Sequence, residues 1–526
     1  MPMRYLLEEL RQNIQSNDLM KARVVLAQLG AAEPAIQQRV LFELSRCEGH
    51  FAIPLLGYVL TNMAGLAVPQ QSVRDVLCDK ILDAPEEFIK LLENAELRNK
   101  SPLIELAGSM QLEAAVPCLL TLLARETDQE LLCDLLKALG TIGHPSAIEA
   151  FVDYLYADTR ALVSTAVWAL AQCGRPEVVE PLASRMGSDS KLDRLILDAL
   201  ASMNTELALE KLADILDSPQ AAARNHAKQV LQSLGARAIP VLSRCLLADH
   251  DDMVIHALNT LGAIGDAEAV PPIRRLLHRE PRDANVRFAA YEALGMLPLH
   301  KAAFVLAEGL EDGVEDVRIA AAKAIERHHN DIIIAGISNL VQPQDAMAHR
   351  TIQALLHGKA EQLILSLIDN AVFRSIALDY LRTQAHPELR IYYEMLLHQH
   401  GYSAYAASLK VASQASPASD DLIIYAVDDS RMILSIYKKM LYQLGCEVQL
   451  FEFPAAALEQ MRQTKPHIVF TDLNMPELTG IDLTEQLRTW YAKDALPIVM
   501  VTTQSEGQDH AAAYAAGVTA ILPKPF

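Results

Sequence analysis

An apolar residue that precedes a Gly, or a substitute for it, by four positions recurs seven times at Leu139, Leu170, Leu200, Leu231, Leu261, Leu294 and Ile325. The spacings are 31, 30, 31, 30, 33 and 31 residues. Gly143, Gly174, Gly235 and Gly265 fill the terminal position, Asn204 replaces Gly once, and Pro298 and His329 break the pattern. Gly and Asn both tolerate the left-handed geometry that ends a helix. A fixed period of this length constrains the fold more than any other feature of the chain. Each unit is too small to bury an apolar face alone, so the units must stack.

Within a unit the pattern reads as two helices. Ala269, Ile273, Leu276 and Leu277 recur at helical spacing. A break at residues 279–283 follows, and Val286, Ala289, Ala290, Ala293 and Leu294 then form a second helical face. Helices this short are marginal alone and need neighbours. The pattern resembles HEAT-type repeats, in the short bacterial variety whose second helix ends Ala-Leu-Gly. Less regular helical pairs extend it from about residue 20 to 400, with helix-rich caps at Met3–Gln28 and Leu378–His400.

The last hundred residues read differently. Leu422–Val427, Ile468–Thr471, Ile498–Val501 and Ala520–Pro523 are short apolar runs. Each ends in a polar residue: Asp428-Asp429, Asp472, Thr502-Thr503 and Lys524. Runs apolar throughout are parallel strands buried on both faces. In an open parallel sheet, functional groups gather beyond the carboxyl ends of the strands. Three carboxylates, a hydroxyl and an ammonium are therefore expected in one crevice. Clustered carboxylates call for a cation, and hard oxygen donors with an open face suit Mg²⁺. A carboxylate is also a nucleophile able to form an aspartyl-phosphate, with positive charge on the phosphoryl oxygens supplied by Mg²⁺ and Lys.

Residues 421–526 resemble the receiver domain of two-component response regulators. The likeness rests on Asp428-Asp429, Asp472 followed by Met475-Pro476, Gly480, Thr502 and Lys524-Pro525-Phe526. It implies a doubly wound, flavodoxin-like α/β fold with strand order 2-1-3-4-5. It also implies that Asp472 is the phosphoacceptor, with Mg²⁺ held by Asp428, Asp429, Asp472 and the backbone carbonyl of Asn474. Thr502 and Lys524 would contact the phosphoryl group, while Asn474 and Gln504 would tune its lifetime. Two departures stand out. Ile521 occupies the switch position where the family usually has Tyr or Phe. The sequence stops at Phe526, where the family continues into a last helix, so a truncated domain with open apolar surface around Val427 and the last strand is expected.

The expected organisation is a helical repeat array over 1–405, a flexible linker over 406–420 and the receiver-like domain over 421–526. Residues 411–420, small and polar with one Pro, mark the linker most clearly. Net charge is −20, of which −5 falls in 421–526, with 13 acids and 8 bases there. That balance excludes a general nucleic-acid-binding role, which needs a basic footprint. Arg274, Arg275, Arg279, Arg282 and Arg287 read as a solvated turn and helix face. The seven scattered cysteines form no CxxC pair and read as core residues of a reducing compartment. No signal peptide and no run of 18 apolar residues are apparent, so a cytoplasmic protein is expected.

The resemblance implies a non-enzymatic response regulator whose only catalysis is its own phosphorylation and dephosphorylation. A histidine kinase in trans would be the donor, and an unknown protein on the array the output. The alternative is a constitutive scaffold with a docking-only receiver. Some short-repeat relatives attach chromophores or process damaged DNA bases. No acid–base constellation recurs on these repeats to support either activity.

Overall fold

The computed structural model describes the chain apart from residues 1–3, 64–68, 95–96, 98, 188, 204, 219, 282, 300–303, 411–421, 444–445, 474, 476–477, 503–506 and 524–526. It divides into two compact units, Met1–Lys211 and Leu212–Phe526.

The repeat markers all fall on helices: α1 (Gln129–Ile142), α2 (Arg160–Cys173), α3 (Ser190–Ser202), α4 (Ala221–Leu234), α5 (Asp251–Ile264), α6 (Ala284–Met296) and α7 (Glu315–Arg327). Every marker is at most 3% exposed, as expected of the residue that faces the core in each unit. Local chemistry sets the ends. Asp128 accepts a hydrogen bond from the Leu131 N–H at 2.9 Å and starts α1, and Asp283 does the same for α6 through Asn285 and Val286. Gly143 (φ 70°) and Gly265 (φ 74°) end α1 and α5 in the left-handed conformation. Gly235 departs from this: it leaves α4 at φ 60°, ψ −134° and opens a 3₁₀ turn over Gly235–Ala238. The residue at 204 lies outside the described part.

The residue after the marker explains why the helices can lie so close. A Cβ placed on Gly140 or Gly262 would stand within 2.9 Å of the Cα of Ala169 or Ala293, and one on Gly108, in the helix Ser101–Ser109 ahead of the first marker, would stand 2.8 Å from the Cα of Ala138. Ala138, Ala169 and Ala293 each precede the marker of the next helix. The Ala-Leu-Gly ending is thus a packing device, small against small on either side of a buried Leu. Gly262→Val is expected to cost about 2–3 kcal/mol, read as a lower urea midpoint, because backbone rather than a flexible side chain opposes the added methyls.

The two-helix reading of the unit around 269–294 holds. A 3₁₀ turn at Ala267–Ala269 leads into a helix over Val270–Leu277, and α6 follows the break. In the arginine cluster, Arg287 binds Asp312 at 2.6 and 3.1 Å and the Pro281 carbonyl at 2.6 Å, which pins the turn between helices. Arg274, Arg275 and Arg279 are exposed. Cys118 and Cys245 are buried, and burial pushes the Cys245 thiol up to about 11. Among the described residues, the last helix before the sheet spans Ser403–Leu409, across the expected end of the array at 405. Most of the expected linker, from residue 411 on, lies outside the described residues.

The C-terminal part is a five-stranded parallel sheet in the order β2-β1-β3-β4-β5. Its strands are β1 (Ile423–Val427), β2 (Glu447–Phe451), β3 (Ile468–Asp472), β4 (Ile498–Thr502) and β5 (Ala520–Pro523). Helices α8 (Arg431–Gln443), α9 (Pro454–Gln463), α10 (Gly480–Trp490) and α11 (Gly507–Ala516) connect them. Strand alternation divides the core between the two faces: Tyr425, Val427 and Val469 pack with α9 and α10, while Ile424 and Ala426 pack with α8. The expected opening around Val427 is therefore absent. Val427 is fully buried in the cluster with Ala457 and Leu458. On β5, Leu522 is 40% exposed and Ile521 is partly buried.

Candidate functional site

Register brings the polar strand ends together. Val427 pairs with Phe451 and Thr471, Asp472 with Val501, and Thr502 with Pro523. The carboxyl ends of β1, β3 and β4 are therefore level, and the residues that end or follow them share one crevice. One carboxylate oxygen each from Asp428, Asp429 and Asp472 lies within 4.8 Å of the others. Asp428 is fully buried, Asp472 is 7% exposed and Thr502 is 1% exposed. Asp428 is oriented by its own loop: its Oδ1 accepts from the Ser430 N–H at 2.8 Å, and its N–H donates to the Phe451 carbonyl at 3.1 Å. The Thr471 hydroxyl donates to the Asp472 carbonyl at 3.1 Å.

Gly480 fixes the return of the chain after β3. Its N–H donates to the Leu473 carbonyl at 2.9 Å, and a Cβ there would stand 2.1 Å from the Asp472 carbonyl oxygen. A capping box between Thr479 and Asp482 starts α10 at this point. Of the residues expected in the site, Asp428, Asp429 and Asp472 are brought together, and Thr502 ends the neighbouring strand β4. Asn474, Gln504 and Lys524 lie outside the described residues. Ile521 packs against the cluster of Leu473, Met500, Ala513 and Val518 beside the site.

Residues 424–526 match the response regulator receiver domain. The sheet carries a receiver domain. Residues 116–195 and 239–326 match HEAT repeats. Over 103 residues the receiver is 34% identical to response regulator MprA of Mycobacterium leprae, covering 20% of this chain and 44% of that protein. Over 104 residues it is 30% identical to the DNA-binding transcriptional regulator NtrC of Escherichia coli, covering 20% and 22%. The chain thus spans less than half the length of these curated relatives. Among solved structures, the chemotaxis response regulator CheY4 of Vibrio cholerae is 29% identical, covering 20% of this chain and 88% of that one, at a TM-score of 0.20.

Three neighbours of the receiver site were not singled out from sequence. Tyr437 on α8 is 2% exposed, and its ring packs on Phe470 with centroids 5.5 Å apart. Burial drives the Tyr437 phenol pKa well up, and the charges of Asp428 and Asp472 push the same way. The other two come from the helical repeats of the same unit. On α4, the Asn225 Nδ2 donates to the Met475 carbonyl in the loop after β3. Lys228, three residues on, is partly buried and its charge acts on Asp429 and Asp472. Burial lowers the Lys228 ammonium from its ordinary value, Asp429 raises it, Arg224 lowers it and Asp472 raises it. A Lys at i+3 from an Asn on an amphipathic helix reads as solvent-facing. Only the tertiary contact, 250 residues away in sequence, gives the pair another meaning.

His256 on α5 faces the same positive charges. Burial first, then Lys228, Arg224 and His250, hold its imidazole well below 6.5, and among the described residues its Nδ1 has no hydrogen-bond partner. The folded state therefore keeps His256 neutral where the unfolded chain takes up a proton. Above about pH 6.5 both states are neutral and stability is full. As pH falls below that value, stability drops by up to about 1.4 kcal/mol per pH unit from this group. Urea titrations at pH 7.5, 6.5 and 5.5 are expected to show that loss, and His256→Gln to flatten it.

Proposed function

We propose that this chain is a response regulator in which Asp472 accepts a phosphoryl group from a histidine kinase in trans and thereby controls protein–protein interactions of the HEAT-like repeats. The observation that carries the reading is the meeting of Asp428, Asp429 and Asp472 at the carboxyl ends of β1 and β3, with buried Thr502 on the neighbouring strand end. The all-oxygen donor set of these three carboxylates fits Mg²⁺. When bound there, Mg²⁺ supplies positive charge to the phosphoryl oxygens.

The residues divide the work. An oxygen of Asp472 attacks phosphorus, forming an acyl phosphate as the donor's P–N bond breaks and the imidazole leaves with the electron pair. Asp428, held by the Ser430 N–H, and Asp429 keep the acceptor from being the only carboxylate facing the cation. Thr502, at the end of β4, would bond a phosphoryl oxygen once it has arrived. Lys524 has the matching role by family resemblance. Burial of Asp428, Asp472 and Thr502 limits water at the acceptor. No helix among the described residues is long and apolar enough to cross a membrane.

Incubation of the full chain with acetyl phosphate, read by intact mass, tests the reading. One added phosphoryl group that disappears when EDTA is present is expected. No uptake at saturating Mg²⁺ would sink it and leave a docking-only receiver.

A further inference from the structure

We infer that helix α4 of the repeats is the docking surface for the receiver's acid pocket, with Lys228 standing where the divalent cation would otherwise neutralise Asp429 and Asp472. The inference rests on the phosphoacceptor reading for its consequence, but not for the contact itself.

Asn225 and Lys228 lie one helical turn apart and so project from one face of α4 (Ala221–Leu234). Asn225 donates through Nδ2 to the Met475 carbonyl, in the loop that leaves β3 directly after the acceptor. Lys228 is partly buried, and its charge acts on Asp429 and Asp472. A second contact ties the same two parts: Lys438 on α8 meets Glu388, on the helix Pro387–Gln399, at 3.4 Å. That pair is half exposed and adds little energy by itself. The weight therefore falls on the α4 contact, where Asn225 bonds the loop after β3 and the Lys228 charge acts on two of the three clustered carboxylates.

The charge balance shows why the docked and loaded states compete. Three carboxylates within 4.8 Å repel one another unless a cation shares the pocket. Lys228 supplies one positive charge in the docked state. Mg²⁺ would supply two and needs the open face of the site for its waters and for the incoming phosphoryl oxygens. An ammonium on that face repels the metal, and the helix beneath it covers the approach beside Met475. Docking of α4 and loading of the receiver thus become mutually exclusive, and the linkage is reciprocal: whatever weakens docking strengthens loading by the same factor. Phosphorylation would then free the α4 face, which gives the repeats a surface that is exposed only in the loaded state.

Mg²⁺ binding to the full chain by calorimetry is the first arm of the test. Lys228→Gln is expected to bind Mg²⁺ about tenfold tighter than wild type, inside the usual range of coupling between sites. Asn225→Ala, which removes the bond to Met475 and leaves the charge, is expected to tighten it a few-fold. Equal or weaker Mg²⁺ binding in Lys228→Gln overturns the proposal. The second arm reads docking without metal: an amine-reactive label scored at Lys228 by peptide mass. Slow labelling that speeds up on adding Mg²⁺, but not in Asp429→Asn, is expected. Labelling as fast as that of exposed lysines without Mg²⁺, or unmoved by Mg²⁺, overturns it. Should no variant take up phosphate from acetyl phosphate, the phosphoacceptor reading fails by itself, and these two arms still decide the docking contact.

Discussion

Asp472→Asn is expected to leave the full chain without detectable phosphoryl uptake from acetyl phosphate while its fold and Mg²⁺ site persist in weakened form. The amide keeps the shape of the side chain but lacks the anionic oxygen that attacks phosphorus, so the effect is on chemistry rather than packing. Asp429→Asn provides the contrast. It keeps the nucleophile and loses one of the three carboxylates that meet within 4.8 Å. Mg²⁺ binding is expected to weaken on the order of a hundredfold, as the loss of one close charge pair near a surface implies. Uptake in that variant is expected to recover as Mg²⁺ is raised. Uptake in Asp472→Asn equal to wild type would place the phosphate elsewhere.

Gly480→Val should be the most damaging substitution in the receiver outside the carboxylates. A Cβ at 480 would stand 2.1 Å from the Asp472 carbonyl oxygen and 3.2 Å from the Cα of Leu473. Both obstacles are backbone, so neither can rotate away. The loop after β3 must move, and with it the acceptor. A loss of about 3 kcal/mol in receiver stability is expected, at the upper end for overpacking. Phosphoryl uptake should fall with it even at temperatures where circular dichroism shows the receiver folded. A variant that takes up phosphate at the wild-type rate would show that the loop tolerates the shift.

Much of this was legible in the chain because the signals were periodic or positional. The marker at Leu139 and its six successors lie on helices and are buried, since a stacked helix can hide an apolar stripe only at a fixed period. Strand ends were readable because a parallel strand buried on both faces shows as an unbroken apolar run, with chemistry placed after it. One feature was misjudged for a physical reason. Val427 was expected at an open edge, yet alternation along β1 turns it toward α9, where Ala457 and Leu458 cover it. Across the expected boundary at 405 the helix Ser403–Leu409 runs on, with Ala406 and Leu409 buried. Asn225 and Lys228 were not readable at all. Their significance comes from a tertiary neighbour, and no local pattern distinguishes such a pair from ordinary solvated polar residues.

The central claim is that Asp472 carries the phosphate. The most direct measurement is chemical: phosphorylate the full chain with acetyl phosphate and Mg²⁺, reduce the acyl phosphate with borohydride, and sequence the peptides by mass spectrometry. Reduction converts a phosphorylated aspartate to homoserine, so the account predicts homoserine at position 472 and nowhere else. Homoserine at another position, or phosphate that survives reduction on a serine, threonine or histidine, would contradict it.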